Sequence, residues 1–159
     1  MKRDINVESY ELKNVEVLGV QNEITILPTY IQNSSGKSIY TKETISFIKY
    51  LNQNKLRTGL SETNPENFLY QDNKSIDWIS PIIFIGNAII TNPDGIKLLI
   101  DTISYYVSEK LEHIQNSKAK CTFIYEDRNS PSSYKKITYE GDIAGLKDVN
   151  DIVSSMKNE

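Results

Sequence analysis

Cysteine and histidine are almost missing from this chain: Cys121 is the one thiol and His113 the one imidazole among 159 residues. One cysteine closes no disulfide within the chain. With a single histidine beside it, it also falls short of the four ligands of a structural zinc site. Concentrated positive charge is absent as well. Lysine and arginine number 18 against 21 acidic residues, and no basic cluster exceeds Lys135-Lys136. A nucleic-acid binder carries a basic stripe, so that class is not expected. Long apolar runs are lacking too. The stretch from Trp78 to Pro93 has no charged residue, but Pro81, Gly86, Asn87 and Asn92 interrupt it. A membrane span needs about 20 apolar residues in succession. The stretch therefore reads as a buried core element, and no membrane association is expected. The start, Met1-Lys2-Arg3-Asp4, has no apolar signal-peptide core, which points to the cytoplasm. No internal repeat or low-complexity tract is visible.

Apolar residues make up 38% of the chain, enough to build a core and too many for a disordered segment. The strongest pattern lies between Asn92 and Gln115. Asn92-Pro93-Asp94 supplies an N-cap, a proline at the first helical position and an acid in the first turn. Ile96, Leu99, Ile100, Ile103, Val107, Leu111 and Ile114 then recur at offsets of three and four. That spacing predicts one long helix with a continuous apolar stripe. Lys97, Asp101, Ser104, Ser108, Glu109 and Glu112 form its solvent face.

Upstream, Val15, Val17 and Gly19 alternate with polar and apolar neighbours, Gln21-Asn22 makes a turn, and Ile24, Ile26 and Pro28 alternate again. This predicts an N-terminal β-hairpin. Residues 33–38 form a loop by composition. A helix is expected over 42–56, with Thr41 as N-cap. Its inner face holds Ile45, Ile48, Leu51 and Leu56, with Phe47 and Tyr50 beside it. Residues 57–77 lack periodicity and read as a long polar loop around Phe68-Leu69-Tyr70. The apolar element 78–90 reads as a buried helix, with strand as the alternative.

Downstream, Cys121, Phe123 and Tyr125 alternate with Thr122, Ile124 and Glu126. A loop over 127–133 and a return strand through Ile137 and Tyr139 complete a second hairpin. Gly141 ends that strand and Asp142 caps a final helix, whose inner stripe is Ile143, Leu146, Val149, Ile152, Val153 and Met156. The whole is an α+β chain. An N-terminal β/α region with a polar loop occupies 1–77, and a helix–β-hairpin–helix module occupies 78–159. The two are expected to form one unit, with the final two helices packed on the C-terminal hairpin.

Several residues could carry chemistry, and each has a plainer reading. Ser35-Gly36-Lys37-Ser38 resembles the end of a phosphate-binding loop. The glycine that such a loop needs five residues before Gly36 is replaced by Ile31, so a polar turn is expected. His113 lies one turn after Glu109, a spacing common in surface pairs. Cys121 falls on an inner strand face, where a small buried hydrophobe is the default. Glu62, Glu66, Asp72 and Asp77 load the central loop with acid, but their spacing matches no metal loop. No cofactor or metal is therefore expected. Phe68, Leu69 and Tyr70 either plug the domain's own core or form an aromatic anchor for a partner, and the anchor is preferred. The ten tyrosines also suit a binding surface, although Tyr105-Tyr106 and Tyr139 can equally be packing residues.

The C-terminal half resembles a known family. Tyr139-Glu140-Gly141-Asp142, followed by Leu146 and Ile152-Val153 behind a long striped helix and a hairpin, is similar to the effector-associated constant component modules of bacterial conflict systems. That resemblance implies a non-catalytic adaptor that couples an effector to an NTPase or sensor encoded nearby, in antiphage defence or phage counter-defence. The family offers no catalytic residue. The expected function is thus a non-enzymatic protein-interaction component. The alternatives are a small hydrolase using Glu62, Glu66 and Asp72, and a homo-oligomeric structural protein.

Overall fold

The computed structural model describes residues 4–10, 23–32, 36–62, 64–71, 78–111, 118–127 and 133–157. Its strands are β1 (Asp4–Tyr10), β2 (Ile24–Leu27), β3 (Tyr30–Gln32), β4 (Lys37–Thr41), β5 (Thr58–Leu60), β6 (Phe68–Gln71), β7 (Trp78–Ile85), β8 (Ala119–Glu126) and β9 (Tyr134–Gly141). Its helices are α1 (Glu43–Gln53), the single turn α2 (Asn87–Ile90), α3 (Pro93–Leu111) and α4 (Lys147–Lys157). Two 3-10 turns, Pro65–Asn67 and Ile143–Leu146, lead into β6 and α4. The fold is α+β. Among the described residues no helix is long and apolar enough to cross a membrane.

Six strands form the main sheet in the order β1-β9-β8-β7-β2-β5, and three form a small sheet, β3-β4-β6. The centre of the main sheet is β7, parallel to β8 and antiparallel to β2. Parallel neighbours need a long crossover, and α2 and α3 supply it between β7 and β8. The sheet's inner face carries Ile24, Ile26, Ile83, Ile85, Cys121, Phe123, Ile137 and Tyr139. These join Phe47, Leu51, the α3 stripe, Leu146, Val149 and Val153 in one core cluster. A smaller cluster on the opposite face joins Leu27, Phe84 and Ile124, with Tyr10, Ile82 and Tyr134 packed beside them.

The segment expected as a buried helix over 78–90 is mostly strand. Its central position explains why alternation is hard to see, since Phe84 and Ile85 face opposite ways and both are buried. Pro81 within a central strand would ordinarily argue against that reading, because it donates nothing to the ladder. A β-bulge absorbs it. Pairing jumps from Ile79–Lys120 to Ile82–Thr122, so Ser80 and Pro81 oppose Cys121 alone. The Ser80 hydroxyl accepts the Thr122 N–H at 3.2 Å and donates to the Pro81 carbonyl at 2.6 Å. A side chain thus takes over a hydrogen bond at the irregularity.

The N-terminal half departs furthest from expectation. Residues 11–22, which include most of the predicted first hairpin, lie outside the described residues. Its second strand, β2, does not close a hairpin. It is held on one side by β7 and on the other by β5. The hairpin that precedes the helix is β3–β4 instead, with Tyr30 opposite Ile39. Gly36, at φ +68°, lies in its turn, where a left-handed backbone favours glycine. Helix α1 is capped by Lys42 with no side-chain hydrogen bond, not by Thr41. The Thr41 hydroxyl bonds to that of Thr44 at 3.1 Å. The buried face of α1 is Thr44, Phe47 and Leu51, while Ile45 is 54% exposed. The expected loop over 57–77 contains two strands, β5 and β6.

The C-terminal half follows its local signals. The Asn92 Oδ1 accepts the Asp94 N–H at 3.1 Å, and α3 begins at Pro93. Ile96, Leu99, Ile100, Ile103 and Val107 are buried, and Leu111 is partly buried. Ile114 and Glu112 lie outside the described residues. Strands β8 and β9 pair antiparallel from Ala119–Gly141 to Glu126–Tyr134. The Asp142 carboxylate accepts the Gly145 N–H at 3.0 Å and starts the turn into α4. Val149 and Val153 of α4 pack into the same core as α3 and the hairpin.

Candidate interaction surfaces

Phe68, Leu69 and Tyr70 are not the tip of a loop. They are the body of β6, the outer strand of the small sheet, which pairs in parallel with β4. Side chains on a strand alternate, and that alternation divides the three. Phe68 and Tyr70 turn inward onto Tyr40, with ring centroids 5.6 Å and 6.3 Å from it and 5.5 Å from each other. Tyr40 is 1% exposed. Its hydroxyl lies 3.1 Å from the Ser61 Oγ and accepts the Glu62 N–H at 3.1 Å. Burial, the largest cause, raises the phenol pKa of both Tyr40 and Tyr70. Leu69 points the other way, opposite Ile39 in the ladder, and is 43% exposed.

The nucleophile and acid candidates are dispersed. Cys121 is fully buried, and burial pushes its thiol from 9.0 up to about 12, against a weaker opposing hydrogen bond to Ser80. At pH 8 such a thiol is roughly a thousand times less ionised than a free one. Iodoacetamide labelling of Cys121 followed by mass spectrometry is therefore expected to be much slower in the native protein than in urea. Comparable rates would disprove a buried thiol. His113 lies outside the described residues, and Glu109 is exposed on α3. Lys37 and Ser38 belong to β4 and do not open a helix, the setting that a phosphate-binding loop needs. Glu62 uses its carboxylate locally, accepting the Asn64 N–H at 3.0 Å. Glu66 sits exposed in the adjoining 3-10 turn. Asp72 and Asp77 lie outside the described residues. Among the described residues no group of three histidine, cysteine or carboxylate side chains is placed to hold a metal.

Two arrangements have no sequence counterpart in the expectations. The first fastens α1 to α3. The Tyr106 hydroxyl donates to Glu43 Oε1 and lies 2.9 Å from Ser46 Oγ. Lys110 lies 3.8 Å from the same carboxylate and 5.3 Å above the Tyr106 ring. Phe47, Tyr50 and Trp78 surround that ring at 5.2–6.0 Å. Burial first, then the Glu43 carboxylate, raises the Tyr106 phenol pKa, so it stays a hydrogen-bond donor. This is a packing joint with a polar rim.

The second is a trough between α3 and the segment that leads into α4. One hollow of about 420 Å³ is lined by Lys97, Ile100, Asp101, Lys147, Asn150 and Asp151. The next, about 340 Å³, is lined by Tyr105, Ile143 and Ala144 among others, and shares Asp101 and Lys147 with the first. The Lys97 end of α3 thus lies against the Asp151 end of α4, and the Ser108 end against Ile143. Tyr105 is 70% exposed at this trough, while its neighbour Tyr106 is 4% exposed in the core. The helical period of 3.6 residues separates two adjacent tyrosines into a surface residue and a core residue.

The described surface thus carries an exposed leucine on an outer strand and an exposed tyrosine beside a helix trough. No family model, no curated protein and no solved structure matches the chain.

Proposed function

We propose that this protein is a non-enzymatic interaction component that couples an effector to an NTPase or sensor encoded nearby, in bacterial antiphage defence or phage counter-defence. The observation that carries the reading is Leu69, a large apolar side chain left 43% exposed on an outer strand of a sheet. Such an edge accepts an added strand from another chain, whose backbone completes the ladder while a pocket on the partner takes the leucine. Phe68 and Tyr70 act behind it, holding the strand on Tyr40. The similarity of residues 92–157 to effector-associated constant component modules supports the conflict-system setting.

The test is copurification of the tagged chain with the products of its neighbouring genes. Leu69→Asp is expected to weaken capture by about 2 kcal/mol or more, roughly thirtyfold. The same change should shift unfolding free energy by no more than about 0.5 kcal/mol, since Leu69 lies outside the core. Undiminished capture by this variant would overturn the edge-strand reading. Loss of a measured hydrolytic turnover in Glu62→Ala or Glu66→Ala would overturn the non-enzymatic reading.

A further inference from the structure

A buried hydroxyl joins the small sheet to the main one. Strand β3 follows β2 closely in the chain, so Pro28 and Thr29 between them set its place. Strand β6 is separated from β3 by β4, and among the described residues its ladder runs to β4. Its place relative to the main sheet therefore depends on β4 and on the segment that enters β6, residues 61–67. Tyr40 of β4 meets both. Its ring carries Phe68 and Tyr70. Its hydroxyl lies 3.1 Å from the Ser61 Oγ and accepts the Glu62 N–H at 3.1 Å. Ser61 is 2% exposed and donates its own N–H to the Ile26 carbonyl at 3.0 Å, which extends the β2–β5 contact by one bond. Beyond it, the Glu62 carboxylate accepts the Asn64 N–H at 3.0 Å, and the Asn64 Oδ1 accepts the Glu66 N–H at 3.1 Å. A chain of hydrogen bonds thus runs from the main sheet to the start of β6. Packing on Phe68 and Tyr70 needs only the Tyr40 ring. The hydroxyl, taken out of water, costs free energy unless its partners are in place, so it disfavours other orientations of the small sheet.

We propose that Tyr40 is a positioning residue for the binding edge. Its phenol latches the small sheet to the β5 end of the main sheet and so presents Leu69 in one orientation. This rests on the edge-strand reading of β6. An edge held in place beforehand pairs with an incoming strand at a smaller ordering cost.

Hydrogen exchange of the free chain, followed by NMR, is compared with capture of the neighbouring gene products. Tyr40→Phe keeps the ring and is expected to speed exchange of the β6 amides at least about tenfold. Ser61→Ala removes one of the two hydroxyl partners and should give a smaller increase in the same strand. Gly145→Ala is the control. Its added Cβ overlaps Tyr139 near the opposite end of the main sheet from β5. It should speed exchange in β8 and β9 and leave β6 unchanged, because the small sheet opens without relieving that clash. Capture should fall about fivefold or more in Tyr40→Phe and hold in folded Gly145→Ala. Unchanged β6 exchange in Tyr40→Phe overturns the proposal. So does β6 exchange that rises equally in Tyr40→Phe and Gly145→Ala, and so does undiminished capture by Tyr40→Phe. The edge-strand reading fails on a different result, undiminished capture by Leu69→Asp, and the exchange measurement involves no partner.

Discussion

Replacing Phe68 and Tyr70 together by alanine is expected to lower the unfolding free energy by roughly 3 kcal/mol or more. Both rings pack on Tyr40, which is itself 1% exposed, and the three form a mutual aromatic cluster. Their loss removes two large apolar side chains and opens a space beneath Tyr40 that a short strand cannot collapse into. Aromatic pairs also contribute about 0.5–1.5 kcal/mol each beyond the area they bury. Urea unfolding followed by circular dichroism measures the change. A variant within about 1 kcal/mol of the parent would mean that the rings are dispensable to the core. In that case the aromatic residues, not Leu69, would be the better anchor candidates. Leu69→Asp provides the contrast on the same strand, since a change of face by one residue converts a core substitution into a surface one.

Gly145→Ala is expected to cost about 2–3 kcal/mol, as overpacking does in a closed core. Gly145 is buried in the turn between β9 and α4. A Cβ there would overlap the Tyr139 hydroxyl and approach the Tyr139 Cζ to 3.1 Å and the Asp142 Oδ1 to 3.2 Å. Tyr139 is fully buried and its hydroxyl donates to the Asp142 carbonyl, so the ring has nowhere to swing. The clash predicts a particular coupling. Tyr139→Phe alone should cost about 1 kcal/mol through the lost hydrogen bond. In combination with Gly145→Ala it removes the overlapping oxygen, so the double variant should be less destabilised than the sum of the two. Additive costs in that cycle would show that the oxygen is not the obstacle.

The boundary of α3 was legible because every signal for it is local. Asn92 caps, Pro93 needs no hydrogen bond at the first position, and the apolar stripe repeats within a single turn. The second hairpin and the Asp142 cap were legible for the same reason, since strand, turn and strand follow one another in sequence. The partners of β2 were not legible. It pairs with β5 and β7, more than 30 and about 60 residues away, and its own four residues hold no record of either. β6 was lost in a polar region because four residues are too few to show a period, and its ladder partner is β4 across α1.

What the sequence determined by itself was therefore the class of the chain and the elements made by near neighbours: an α+β protein, the long helix that starts at Pro93, the hairpin of β8 and β9 and the capped turn into the last helix. The tertiary structure alone decided which apolar residues are core and which are surface. Ile45 and Leu69 have the composition of core residues and are exposed, and Tyr105 differs from Tyr106 only in the direction its helix turns it. It also decided that residues 78–85 are strand, because Pro81 is tolerated only where a bulge and the Ser80 hydroxyl accommodate it. The physical reason is the range of the interactions. Helix stripes, caps and tight turns are settled within a few residues. Sheet order and burial depend on which distant segments meet, and that choice is made by the packing of the whole chain.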